Sequence, residues 1–181
     1  MSTIQKVALL APVPLEHLID GIAVCDQQGK VAFGSHAWEI FRQLDELRDG
    51  QPVDVYICAS HAPGRPSFKV SWRGIYLGHV KGIHGAHPQG MQFRPPTAKY
   101  EDDNYGHWAF FWEVTQLWEL APQEHIPMCR FYGWDKRRFY EKNFIPEGPI
   151  LVHQPLPLKW FPTLPDAPLH QKNPKIRNLS S

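Results

Sequence analysis

Between Val55 and Tyr100 the chain has not one Asp or Glu. The same stretch carries Arg65, Lys69, Arg73, Lys81, Arg94 and Lys99 together with four histidines, and acids return abruptly at Glu101, Asp102 and Asp103. The net charge of the whole chain is only +1, so total charge names no partner and the local run is the informative quantity. Other absences narrow the class. Cys25, Cys58 and Cys129 are odd in number and far apart with no C-x-x-C pair, which indicates neither a disulfide framework nor a zinc ribbon. No apolar run approaches the ~18 residues that span a bilayer, and no basic-then-apolar leader opens the sequence. The expectation is a cytoplasmic protein with no membrane contact. There is no G-x-S-x-G, no P-loop and no dinucleotide fingerprint.

What is present favours short strands and loops. Aromatics make up 13% of the 181 residues and proline occurs 18 times, a composition that disfavours a helical bundle. Residues 4–10 are apolar and read as a buried strand, followed by one helical turn over residues 15–20. Residues 22–25 and 30–33 flank "DQQG" as the arms of a hairpin. "GSHAWEIFRQLDEL" reads as a helix with Ser35 as its N-cap and Ala37, Ile40, Phe41, Leu44 and Leu47 on one stripe. Residues 53–59 alternate as a strand. Residues 68–83 alternate over a longer span, and their wet face turns apolar at Gly74, which predicts a bulge or sharp bend. Residues 107–118 form a further long strand, and "WDKRRFYEK" at 134–142 reads as a short helix. From Pro146 on, eight prolines fall within 29 residues, which rules out regular helix or central strand.

The expected fold is α+β. A strongly bent, mostly antiparallel sheet of five or six strands closes towards a β-barrel, with few peripheral helices. One domain over residues 1–152 precedes a proline-rich tail, 153–181, that wraps the domain and then frays.

The order of these pieces carries a resemblance. A helix opens after "FGS", the strand "PVDVYICAS" follows a Gly/Pro turn, then come "GIYLGHV" and a long strand ending in "LWELAPQEHIP". Over residues 33–128, with an echo in "LLAPVPLEHL", this resembles the PUA-like superfamily, in particular its EVE and ASCH domains. "QPVD" stands where those domains carry a glycine–aspartate turn, and no G-x-K-x-x-E-x-R signature is present. The resemblance implies a closed barrel with a pocket beside the helix start, a reader of RNA or of modified bases in DNA, and in some ASCH-like relatives an amidohydrolase acting on a modified nucleoside.

The candidate binding residues follow from their own chemistry. Ser35, His36 and Trp38 sit in the first turn of a helix, where free N–H groups and the dipole favour acceptors and anions. Trp72 and Tyr76 share a face on either side of Gly74, which leaves a slot for a planar ligand if they are not simply core. Trp108 lies beside the "EDDNYGH" loop, near an opening, whereas Trp112 reads as core. Arg73, Lys81 and Arg94 supply positive charge for a phosphate backbone. The interleaved aromatics suit base stacking. For metal, His84-x-x-His87 with His79 or Cys129 is a weak pattern, and neither a metal nor a cofactor is expected. For catalysis, Asp102 and Asp103 with His107, or Cys58 or Ser60 with a histidine, lack diagnostic spacing, so no catalytic residue is assigned. The reading is a nucleic-acid-binding module. An enzyme acting on a modified nucleoside and a protein-interaction module using the tail are the alternatives.

Overall fold

The computed structural model describes residues 6–64, 67–99 and 107–156. The chain runs β1 (Val7–Pro14), α1 (Leu15–Gln28), β2 (Val31–Ser35), α2 (Trp38–Arg48), β3 (Val53–Ser60), β4 (Lys69–Val70), β5 (Trp72–Lys81), β6 (Phe110–Glu119), β7 (Ile126–Pro127) and β8 (Ile150–His153). Six strands form one curled sheet in the order β2-β6-β5-β3-β1-β8, and β4 pairs with β7 apart from it. The class is α+β, as expected, but the sheet is a half-barrel with two free ends and does not close. It is also mixed. β1 and β3 run parallel, Leu9 opposite Val55, while every other pair in this sheet is antiparallel. The parallel pair exists because the chain leaves β1, crosses through α1, β2 and α2, and returns as β3.

The first helix is where the sequence reading departs most from the structure. The expected hairpin around "DQQG" is instead the end of a 14-residue helix. Leu15, Leu18, Ile22 and Cys25 recur at helical spacing, with Leu18 and Cys25 buried in the core under the sheet. Gly21 lets the helix approach closely, since a Cβ there would meet Leu117 at 3.3 Å. Gly29, at φ 80°, ends the helix in the left-handed conformation that glycine adopts without cost. The other departure is residues 134–142, which form no helix. They turn back so that Tyr132 bridges Phe139, with Gly133 N–H donating to the Arg138 carbonyl at 2.9 Å.

Both faces of the sheet are covered, and differently. Helices α1 and α2 pack on one face. There Phe41 and Leu44 of α2 meet Trp72, Tyr76 and Trp112, all of them 0–2% exposed. Phe41 lies 5.7 Å from both the Tyr76 and Trp112 ring centres and 5.0 Å from that of Phe110. The opposite face is padded by irregular chain. Met128 and Phe131 cover Leu10, Tyr56 and Val152 at one end, and Phe93 covers Ala32 and Phe111 at the other. This explains why β1 and β3 read as apolar runs with weak alternation, since strands covered on both sides bury both sets of side chains.

Two register shifts bend β5 against β6. Arg73 faces Trp118 while Ile75 faces Thr115, and Tyr76 faces Val114 while Gly78 faces Glu113. The first shift puts its extra residue in β6, where Gln116 has φ 49°. The expected bulge at Gly74 therefore lies across from it. Gly74 itself makes room for Val114, whose Cγ1 would stand 2.4 Å from a Cβ. The second shift puts its extra residue in β5, around Leu77 and Gly78. It reverses which side chains face α2 and so builds the site described next.

Candidate functional site

Helix α2 contains no glycine or proline and presents two faces. Phe41 and Leu44 point into the core, while Trp38, Arg42, Asp45 and Glu46 fall at i, i+4, i+7 and i+8 on the outer side. These four, with His79 of β5, line an open depression of about 470 Å³. Trp38 stands at its lip, 55% exposed, with the Arg42 guanidinium 6.0 Å from its ring centre.

The floor is polar and tightly held. His79 Nδ1 lies 2.9 Å from Asp45 Oδ2. A carboxylate offers only acceptors, so this contact requires the proton on Nδ1 and leaves Nε2 of the neutral ring as the unprotonated nitrogen. Asp45 is fixed in turn by Arg48 Nε, which donates to Oδ1 at 2.6 Å, and by the Tyr76 hydroxyl, which donates to the same oxygen at 3.2 Å. Burial, then the neighbouring Asp45, push the Tyr76 hydroxyl pKa far above its ordinary value, so it stays a donor. Arg48 also donates to the Leu77 and Gln51 carbonyls at 3.1 and 3.0 Å. It thus clasps the bulge that carries His79. Phe41 and Phe110 pack against the imidazole at 6.2 and 5.5 Å between ring centres. The result is an imidazole oriented by a carboxylate, with the opposite nitrogen directed away from that carboxylate.

A second histidine–carboxylate cluster lies on the other face. Glu113 takes Lys30 Nζ at 2.8 and 2.9 Å on its two oxygens, and His87 Nε2 stands 3.6 Å from Oε1. His87 Nδ1 accepts the Gln89 backbone N–H at 3.1 Å, which puts the proton of the neutral ring on Nε2, towards Glu113. Phe93 and Phe111 enclose the ring edge-on, and desolvation lowers the His87 pKa. The cavity beside it, lined by His87, Arg94, Trp108 and Phe111 among others, measures about 10 Å³, room for one water at most.

The sequence-derived candidates are therefore scattered. Ser35 is buried as the last residue of β2, and its hydroxyl accepts the Ala37 N–H at 3.1 Å. It does not cap α2, whose N-cap is Ala37 without a side-chain bond. His36 is exposed, its ring 4.9 Å from Trp108. Trp108 lies flat over Gly34, where a Cβ would come within 2.4 Å of the indole. Trp72 and Tyr76 belong to the core beneath α2, so no slot opens at Gly74. Arg73 is taken up by Asp54 at 3.0 Å and by the rings of Tyr56 and Trp118. Arg94 is buried, donating to the Ala32 carbonyl at 2.8 Å. Lys81 is exposed at the end of β5. Only Trp38 lines the open depression, and Tyr76 reaches its floor through the hydroxyl.

The weaker candidates separate as well. His84 is exposed while His87 is buried, and among the described residues no group of three His, Cys, Asp or Glu is placed to hold a metal. Burial pushes the Cys58 thiol up to about 12, which removes the thiolate a nucleophile needs. Asp102 and Asp103 lie outside the described residues, as does the tail from residue 157. Among the described residues no helix is long and apolar enough to cross a membrane. Sequence reasoning missed Asp45, Arg42 and Glu46 and weighed His79 only as a metal ligand. The i, i+4, i+7 spacing of Trp38, Arg42 and Asp45 was the available signal. Comparison with known proteins adds no name, since no family model, no curated protein and no solved structure matches the chain.

Proposed function

We propose that this chain is a nucleic-acid-binding module that takes an unpaired base into the depression on α2, with Trp38 as the stacking platform. The observation that carries this is the exposed Trp38 at the lip of a 470 Å³ depression with a rigid polar floor. Ligand sites commonly combine an apolar wall with a few fixed polar groups. The volume falls in the range of about 300–1,000 Å³ typical of such sites. Lys81, exposed and two residues beyond His79 on β5, is assigned in this reading to a phosphate next to the bound base. Arg73 and Arg94 are already engaged, so they are no longer assigned to the backbone. The resemblance of residues 33–128 to the PUA-like superfamily points to the same class of ligand, and whether that base is modified is part of the proposal.

The test is a titration of short single-stranded RNA and DNA followed by tryptophan fluorescence. Stacking on an aromatic contributes roughly 1–3 kcal/mol per base, so Trp38→Ala should weaken binding about five-fold to a hundred-fold while the protein stays folded. Affinity should also fall with salt, and Lys81→Ala should reduce that dependence. Binding unchanged in Trp38→Ala would overturn the reading.

One observation favours a second reading. A carboxylate-oriented histidine at an open site is the arrangement of a general base. Turnover of a modified nucleoside, lost in His79→Ala, would make the protein a hydrolase.

A further inference from the structure

We infer that the depression selects a base by its N–H donors, with His79 Nε2 as the acceptor that reads them. The inference rests on the base-stacking reading and adds the edge that is read. Four features converge on one imidazole. The bulge at Leu77 and Gly78 reverses the facing of β5, so that His79 turns to α2 as Tyr76 does. Bulges of this kind re-aim side chains beside functional sites. Arg48 holds the bulged Leu77 carbonyl. Asp45 takes the Nδ1 proton. The Tyr76 hydroxyl, 3.1 Å from Nδ1 and 3.2 Å from Asp45, completes the anchor.

The side chain is 31% exposed, and no hydrogen bond is made by Nε2 among the described residues. His79 lines the depression, and its contact with Asp45 leaves Nε2 as the acceptor of the neutral ring. Of the two carboxylates on its wall, Asp45 is engaged by His79, Arg48 and Tyr76, which leaves Glu46 as the other acceptor at hand. The one cation on the wall, Arg42, is paired with Glu46 at 2.6 Å. Such a lining suits a ligand that donates and disfavours a phosphate in the depression itself. Of the unmodified bases, guanine carries two adjacent donors on its Watson–Crick edge, the ring N1–H and the 2-amino group, and it matches two acceptors best.

The experiment uses the full chain and two trinucleotides, UGU and the same molecule with N1-methylguanine. The wild type should bind UGU about three- to ten-fold more tightly, the value of one neutral hydrogen bond. His79→Phe keeps a ring between Phe41 and Phe110 but lacks the acceptor. It should bind both trinucleotides alike and retain the contribution of Trp38. A melting curve on each variant confirms that it is folded. Equal binding of the two by the wild type, or a preference that survives in His79→Phe, overturns the inference while the stacking reading stands. If Trp38→Ala binds UGU as the wild type does, both fall together.

Discussion

The two faces of the sheet each hold a histidine beside a carboxylate, and the pairs have opposite consequences. On the helical face, Asp45 takes the Nδ1 proton of His79 and the other nitrogen is directed away from it at an open depression. On the padded face, a backbone N–H occupies Nδ1 of His87, and its Nε2 is turned inward to Glu113 within a shell of phenylalanines. Both pairs join an imidazole to a carboxylate. What differs is which nitrogen is held and whether solvent reaches the other. The first arrangement leaves a nitrogen at an open site, whereas the second encloses the ring, with Nε2 3.6 Å from Glu113 Oε1 and without a hydrogen bond. A histidine next to an acid is therefore informative only once its tautomer and access are known.

The largest effect that bears on this contrast separates the ring in the core from the ring at the lip. Trp112 is 2% exposed and packs against Phe33 and Phe41. Trp112→Ala should cost about 3–5 kcal/mol of stability. Trp38→Ala, at an exposed position, should change stability by less than about 0.5 kcal/mol and act on binding alone. Urea denaturation of both variants checks it. A large loss in Trp38→Ala would show that the helical face is closed in solution and undo the comparison.

A smaller effect tests the closed pair through pH. Desolvation, the largest influence on His87, lowers its folded pKa below the ordinary value; Glu113 opposes this, while Arg94 and Lys30 add to the lowering. The unfolded chain therefore binds a proton more readily than the folded one. The stabilising difference is complete above about pH 6.5, the unfolded value, and is lost as pH falls through the folded value, at up to about 1.4 kcal/mol per pH unit. Denaturation curves for wild type and His87→Gln between pH 7.5 and 4.5 should converge towards the acid end. A difference between them that stays constant over that range would mean that His87 binds a proton equally well in the folded and unfolded chains, so that burial does not lower its pKa.

Legibility from sequence tracked the range of the forces involved. Helix α2, the long strands and the bend near Gly74 were visible because periodicity and glycine act over a few residues. Helix α1 was misread because "DQQG" is good turn chemistry, and the helical spacing of Leu15, Leu18, Ile22 and Cys25 had to outweigh it. Gly29, taken as a hairpin residue, is the helix cap. The parallel pairing of β1 with β3 was invisible, since nothing local encodes a partner some 46 residues away. The site was half legible for the same reason. Trp38 is named for its place in the first turn of a helix, but alongside Trp72 and Tyr76, which strand alternation puts on one face, and Trp108, which lies beside a loop. Whether a ring on a face is covered depends on what packs there. The basic run misled in a similar way, because Arg73 and Arg94 find their partners, Asp54 and the Ala32 carbonyl, outside the acid-free stretch or on the backbone. Asp45 and His79 meet only through α2 docking on a bulged strand.

That bulge supplies the smallest and most specific way to sharpen the comparison. Gly78 has φ 152°, a conformation that side-chain-bearing residues rarely adopt. Space is not the constraint, since a Cβ there would meet only Arg48 Nη2, at 3.5 Å. The cost of Gly78→Ala is therefore conformational, about 1 kcal/mol. The chain can relieve it by flattening the bulge. Flattening by one residue would turn His79 from the α2 face to the opposite one, breaking its bond to Asp45. The hydrogen-bonded Nδ1 proton of His79, followed by nitrogen-15 NMR of the imidazole, should weaken or vanish in Gly78→Ala, and UGU should lose its advantage over the N1-methylated trinucleotide. His87, carried by a different segment, should keep its spectrum. If both histidines are unchanged and the melting temperature does not move, the bulge is not what aims His79. The open pair would then owe its orientation to Asp45 and Arg48 alone.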